Sequence, residues 1–190
     1  MTITVAPTLE PIGQLLTAEE YDALPENSLR ELVDGVIHMM APPTFWHQIV
    51  KDTLRTLLRA VKPNDLVVLS EAQVRLADGL RRIPDVVVLR RSAYRRDRNQ
   101  CLPADVVLVV AVVSPGSEST DRILKPIEYA RAGIEHYWRV EISPEIVVNT
   151  YRLGESSSYQ STGVSGAGDV VRAPGLSWAR VAVGELADEL

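Results

Sequence analysis

Asp85 and Lys125 are the two side chains whose type and setting most suggest chemistry. Asp85 opens "IPDVVVL" (residues 83–89), a run whose β-branched residues suit a buried strand. Lys125 follows a second apolar run, Val106–Val113, on a segment with helical spacing. A carboxylate fixed at a strand edge offers one rigid oxygen to a hard cation such as magnesium. That ion takes one or two carboxylates and completes its shell with water and phosphate oxygens. An ammonium nearby can position or polarise an attacking water and stabilise developing negative charge. Each residue also has a plainer reading. Pro84-Asp85 suits a turn before a buried strand. Lys125 can pair with Asp121 at i,i+4, a contact contributing about 0.3–0.5 kcal/mol on an exposed surface.

Two further acids, Glu31 in "RELVDG" and Glu71 in "VVLSEAQVRL", lie beside apolar strand-like runs. Each can act as an outer ligand or water-orienting base, and each equally suits a solvent-facing strand position. The segment "RRSAYRRDR" carries five arginines in nine residues (Arg90, Arg91, Arg95, Arg96 and Arg98) around Tyr94. Guanidinium forks match phosphate oxygens and a tyrosine ring can stack on a base, so this is a candidate nucleic-acid contact. It directly follows the Asp85 strand, which predicts a position beside the candidate centre. The alternative is a solvated loop. His47, between Trp46 and Gln48, reads as a structural histidine. The sequence has no glycine-rich phosphate loop, nucleophile elbow or metal-ligating histidine pair.

The elements that must position these groups follow from pattern. Thr17 caps a short helix, "TAEEYDAL". "LRELVDGVIHMM" alternates around Asp34-Gly35, a hairpin signal. Trp46, Ile49, Val50, Leu54, Leu57, Leu58 and Val61 recur at helical spacing in "TFWHQIVKDTLRTLLRAV". Strands are predicted at Leu66–Leu69, Ala72–Leu76 and Ile83–Leu89, with Asp78-Gly79 turning between the last two. Val106–Val113 is apolar at consecutive positions, which predicts a central strand covered on both faces. A helix is predicted from Thr120 or Leu124 to Ala132, with Pro126 near its start and Gly133 at its stop. Strands are predicted at His136–Val140 and Ile146–Leu153. Ser156–Gly168 reads as a mobile Gly/Ser-rich loop or turn, and "VAVGELADEL" as a short closing element.

At 190 residues the chain fits a single domain. Apolar content of 46% and charged content of 24% are those of an ordinary soluble globule. A lone Cys101 excludes an internal disulfide and argues against a cysteine-based zinc site. No apolar run approaches membrane-helix length and no signal-peptide pattern opens the chain, so a cytoplasmic protein without a membrane partner is expected. The net charge of −5 offers no bulk attraction to nucleic acid, although a locally basic face remains compatible with it.

In order and spacing, "TAEEYDALPE", "RELVDGVI", "APPTFWHQIV", "SEAQVRL", "IPDVVVL", "VVSPGSESTDRILKPIEYARAGI" and "HYWRVE" together resemble a bacterial "putative restriction endonuclease" family of the PD-(D/E)XK nuclease superfamily. The resemblance runs from Thr17 to about Leu153. It implies an α/β fold: a single-domain, restriction-endonuclease-like mixed β-sheet flanked by helices over residues 17–190, after a flexible arm over residues 1–16. It makes Asp85 the metal-binding aspartate, position 111 the second acid, the Val112 carbonyl a further metal contact and Lys125 the catalytic lysine. Glu31 and Glu71 match acids that line the same site. The implied cofactor is magnesium, or manganese, and the implied partner is DNA, with a homodimer possible.

One position departs from that pattern. Ala111 stands where an acid is expected and brings no ligand. With the other four positions intact, a single replacement explains the pattern better than general decay. Two functions remain: a metal-dependent DNA endonuclease impaired at position 111, or a non-catalytic DNA-binding or assembly module that keeps the nuclease fold.

Overall fold

The apolar run in the middle of the sequence becomes the middle of a six-stranded sheet. The computed structural model describes residues 15–25, 29–114 and 116–187. In chain order the elements are α1 (Ala18–Asp22), β1 (Arg30–Val33), β2 (Val36–Met39), α2 (Phe45–Val61), β3 (Leu66–Ser70), β4 (Gln73–Ala77), β5 (Leu80–Arg82), β6 (Val86–Arg90), β7 (Gln100–Cys101) and β8 (Val106–Val112). A π-helical turn (Thr120–Leu124) then runs into α3 (Lys125–Arg131), followed by β9 (His136–Glu141), β10 (Val147–Leu153) and β11 (Tyr159–Ser165).

The large sheet has the order β11-β10-β9-β8-β6-β3, and a second sheet has the order β2-β1-β5-β4-β7. In the large sheet the β8–β9 pair is parallel and its other pairs are antiparallel. A parallel pair needs a crossover, and the π turn with α3 supplies it. Alternation along the strands divides the core. Val86, Val88, Leu108, Val110, Val112, Trp138 and Val140 pack with Val50, Leu54 and Leu58 of α2. Val87, Leu89, Val109, Ala111 and Tyr137 pack with Tyr129 and Ile134 on the opposite side, together with Val74 of the second sheet. β8 is therefore covered on both faces, as its unbroken apolar sequence predicts.

Several local signals read from sequence take the expected form. Thr17 caps α1, with Glu20 completing a capping box; α2 has a cap not read from the sequence, the Thr44 side chain, which accepts from the His47 N–H. Asp34 and Gly35 adopt φ of +51° and +77°, the paired left-handed backbone of a two-residue hairpin turn. Pro126 falls in the first turn of α3, and Gly133 at φ +80° stands just past its C-terminal end. The closing element is a short 3-10 helix, Val183–Ala187.

Three expectations are corrected. The Asp78-Gly79 turn joins β4 to an additional short strand, β5, and not to the Asp85 strand. β5 belongs to the second sheet, and Pro84 separates it from β6 because proline cannot donate to a ladder. The strands accordingly form two sheets where one was expected. Ser156–Gly168 is not a loop throughout, since Tyr159–Ser165 pairs with β10 along its length. Tyr159 anchors that strand: its ring stacks on Tyr137 at 5.6 Å and its hydroxyl donates to the Ile134 carbonyl at 2.8 Å. Gly163 packs closely on Thr150, whose Oγ1 would lie 3.2 Å from an added Cβ and would have to give by a few tenths of an ångström. Most of the expected arm, residues 1–14, lies outside the described residues; at its end the Leu16 N–H donates to the Gly35 carbonyl at 2.8 Å.

Candidate active site

Asp85 precedes β6 at the edge where the two sheets meet. Its Oδ2 accepts from the Val112 backbone N–H at 2.7 Å, and its Oδ1 lies 3.2 Å from His47 Nε2. The same Nε2 lies 3.0 Å from the Val112 carbonyl oxygen. Both neighbours are acceptors, so Nε2 carries the proton and shares it between them. His47 comes from the first turn of α2, one helical turn before Lys51. Burial acts against the charged imidazole, but the hydrogen bond and charge of Asp85 and the Val112 carbonyl outweigh it. The pKa of His47 ends above its ordinary value of 6.5.

Glu31 on β1 is buried and fully engaged. Its Oε1 accepts from the Ile83 N–H at 2.8 Å and its Oε2 from Arg82 Nη1 at 2.7 Å. Arg82 in turn holds both oxygens of Glu128 at 2.7 Å in a fork-to-fork pair. Despite burial, these two acids keep the guanidinium firmly protonated. Glu71, at φ +53° just after β3, accepts from Lys51 Nζ at 2.8 Å. Lys125 Nζ sits 2.7 Å from Asp121 Oδ1, and Ser117 donates to the other oxygen of Asp121. Burial disfavours the Lys125 ammonium, yet Asp121, Glu31 and Asp85 together raise its pKa above the ordinary lysine value. The expected i,i+4 pair thus exists, but buried and not on a surface.

These groups converge. Glu31, Glu71, Asp85, Val112 and Lys125 line one cavity of about 350 Å³, with His47, Arg82 and Asp121 among the other lining residues. Met39, Met40, Pro42 and Pro43 form an apolar flank of the same cavity. Ala111 is not on the cavity wall; it is completely buried in the core beneath. Val86 pairs with Val110 and Val87 with Val109, so Asp85 falls opposite Ala111 in the continued register, on the same face. Directly opposed antiparallel residues have Cβ atoms about 4.5–5.5 Å apart. An acidic side chain at 111 would therefore stand beside the Asp85 carboxylate.

The arginine segment is placed elsewhere, which corrects its expected position beside the centre. Asp85 and Arg90 stand at opposite ends of β6, roughly 16 Å apart at about 3.3 Å per residue. Arg91 donates to the Asn64 and Leu66 carbonyls and Arg95 to those of Ser92 and Tyr94. Sequence reasoning underrated His47, Lys51 and Arg82. The available signal was a polar residue at i and i+4 on the otherwise apolar face of α2, and an arginine pair just before Pro84.

The chemistry of the donor set decides whether a divalent cation fits. Among the described residues no group of three or more His, Cys, Asp or Glu side chains is arranged to hold one. Asp85 gives both oxygens to N–H donors, and the Val112 carbonyl faces the same imidazole N–H. Glu31, Glu71 and Asp121 are each held by a cation of the chain. The residues present do not fit a resident magnesium or manganese ion.

The family of proteins described as Putative restriction endonuclease (Uma2) matches residues 18–184. The chain belongs to this family. Among solved structures, the chain is similar to a putative nuclease of the DUF820 group from Anabaena variabilis. The identity is 18%, with 91% of this chain and 98% of that chain covered at a TM-score of 0.72, a likeness of fold. No curated protein matches the chain. No helix among the described residues is long and apolar enough to cross a membrane. The family match covers the cavity and most of the elements that build it.

Proposed function

We propose that the cavity is a phosphodiester-hydrolysing centre that lacks one acid, in a protein that binds DNA. Its present form holds DNA without cutting it, or cuts far more slowly than a form with glutamate at position 111. The observation that carries this reading is the cross-strand placement of Ala111 opposite Asp85, in the core beneath a cavity that Asp85 and Lys125 both line. Two of the three groups needed for this chemistry are together, and the third position offers a methyl group.

Several features of the chain support roles in such a reaction. Lys125 is held cationic, so it is suited to stabilise charge on a phosphate once it shares or leaves Asp121. Asp85 is fixed by the Val112 N–H and His47, which keeps one carboxylate at a defined point. Glu31 and Arg82 are locked together and serve as a rigid wall. The apolar flank of Met39, Met40, Pro42 and Pro43 gives a sugar or base a dry surface to rest on. We take the working form to be cytoplasmic, and light scattering would establish whether it is a homodimer.

The second reading, a non-catalytic DNA-binding or assembly module, is favoured by the pairing of each pocket acid with a donor of the chain. One experiment separates the two. Ala111→Glu is expected to bind Mn²⁺ in titration calorimetry, where the parent binds little or none, and to nick plasmid DNA with Mg²⁺ or Mn²⁺ added. Unchanged metal binding together with no nicking, in a folded variant, leaves the non-catalytic reading standing.

A further inference from the structure

Tyr129 is completely buried, and its hydroxyl has no hydrogen-bond partner among the described residues. The other buried tyrosines are satisfied: Tyr137 donates to the Asp121 carbonyl at 2.8 Å and Tyr21 to that of Arg30 at 2.7 Å. An orphaned phenol is costly to keep in a core, where a phenylalanine of nearly the same shape would serve. Its surroundings indicate what it lacks. Asp121, Lys125 and Tyr129 recur every four residues and so share one helical face. All three are buried. The first two line the cavity, and Tyr129 lies one turn further in. Glu31 and Asp121 act electrostatically on both the Lys125 ammonium and the Tyr129 hydroxyl. Val109 and Ala111 of β8 belong to the same apolar cluster as Tyr129. Val109 pairs with Tyr137, whose ring centroid is 5.9 Å from that of Tyr129.

We infer that Tyr129 is the positioning residue for an acid at position 111, its hydroxyl left without an acceptor because alanine stands there. A carboxylate at 111 would accept from this phenol with one oxygen and turn the other toward Asp85. The metal misfit and the orphaned hydroxyl are then two marks of one missing side chain. The inference rests on the proposed hydrolytic reading of the cavity, but it makes a claim about the fold that can be tested without any reaction.

The test is a mutant set: parent, Tyr129→Phe, Ala111→Glu and Ala111→Gln, and each Ala111 variant combined with Tyr129→Phe. Thermal unfolding is measured on all six, and calorimetric titration with Mn²⁺ alone on the parent and the two glutamate proteins. In the parent, Tyr129→Phe is expected to raise the Tm or leave it within about 2 °C, because only an orphan is removed. In both Ala111→Glu and Ala111→Gln it is expected to lower the Tm by about 2–4 °C, since glutamine also offers an acceptor oxygen. In Ala111→Glu it is expected to weaken Mn²⁺ binding about tenfold or more, as loss of an outer partner does at metal sites.

A parent that loses more than about 4 °C from Tyr129→Phe overturns the inference, because its hydroxyl would then have a partner, and this arm stands even if the Ala111 variants do not fold. An equal Tm change in every background overturns it as well. If both acceptors couple to Tyr129 while Ala111→Glu neither binds Mn²⁺ nor nicks DNA, the positioning role holds and the hydrolytic reading fails. If Ala111→Glu binds Mn²⁺ and nicks DNA regardless of Tyr129, the hydrolytic reading holds and the positioning role fails.

Discussion

At the scale of single residues, the cavity is organised by one proton. His47 Nε2–H is shared between Asp85 Oδ1 and the Val112 carbonyl oxygen, and so draws together two oxygens that would otherwise repel each other. Folding raises the pKa of His47 above 6.5, because Asp85 and the Val112 carbonyl outweigh burial. The folded chain therefore binds this proton more tightly than the unfolded chain does. The resulting stabilisation is fully present below about 6.5 and is lost as pH rises through the higher folded value. Comparing the parent with His47→Gln, the parent's advantage in Tm should be largest near pH 6 and narrow by roughly 2–4 °C toward pH 8. A constant difference across that range would mean that His47 remains neutral. The histidine was legible in the sequence as a polar residue on an apolar helix face. Its partner was not, because Asp85 lies 38 positions away and only tertiary structure joins them.

At the scale of elements, legibility followed periodicity. α2 was readable because seven apolar residues keep helical spacing over its length. The β1–β2 hairpin was readable because Asp34-Gly35 tolerates two positive φ values in succession. β8 announced its central position by being apolar on both faces. The failures came where composition conflicted with context. β11 is built largely of Tyr, Gln, Ser, Thr and Gly, and it is held by pairing with β10 and by one buried ring, not by propensity. The division into two sheets was invisible because it depends on which strands find each other after Pro84 breaks the ladder. Hydrogen exchange checks the correction: backbone amides of Ser161–Ser165 that face β10 should exchange at least about tenfold more slowly than those of Ser156–Ser158. Equal rates would return the segment to a loop.

At the scale of the whole molecule, the charge pattern separates two regions. The cavity matches its acids with its own cations, while the arginine segment sits at the far end of β6 within a chain of net charge −5. If DNA is held by this segment, counterion release makes log affinity fall with log salt at about −0.9 per phosphate contact on duplex DNA. Changing Arg95 and Arg96 together to alanine should then flatten the slope by roughly one to two units, with little change in stability. Fluorescence anisotropy over a salt series reads this directly. Identical slopes would assign DNA contact to another surface.

The parallel pairing of β8 with β9 also bears on biosynthesis. β8 completes its pairing with β6 as soon as residue 112 has emerged, but its other edge waits for a partner that ends at residue 141. At about 5–20 residues per second, that interval lasts roughly one and a half to six seconds. During it, the run from Val106 to Val113 presents an open edge with no charge, glycine or proline to blunt it. The nascent chain thus passes through a state with an open apolar edge while the crossover helix is only partly made. A ribosome stalled there would hold a half-sheet inclined to pair with a neighbouring copy.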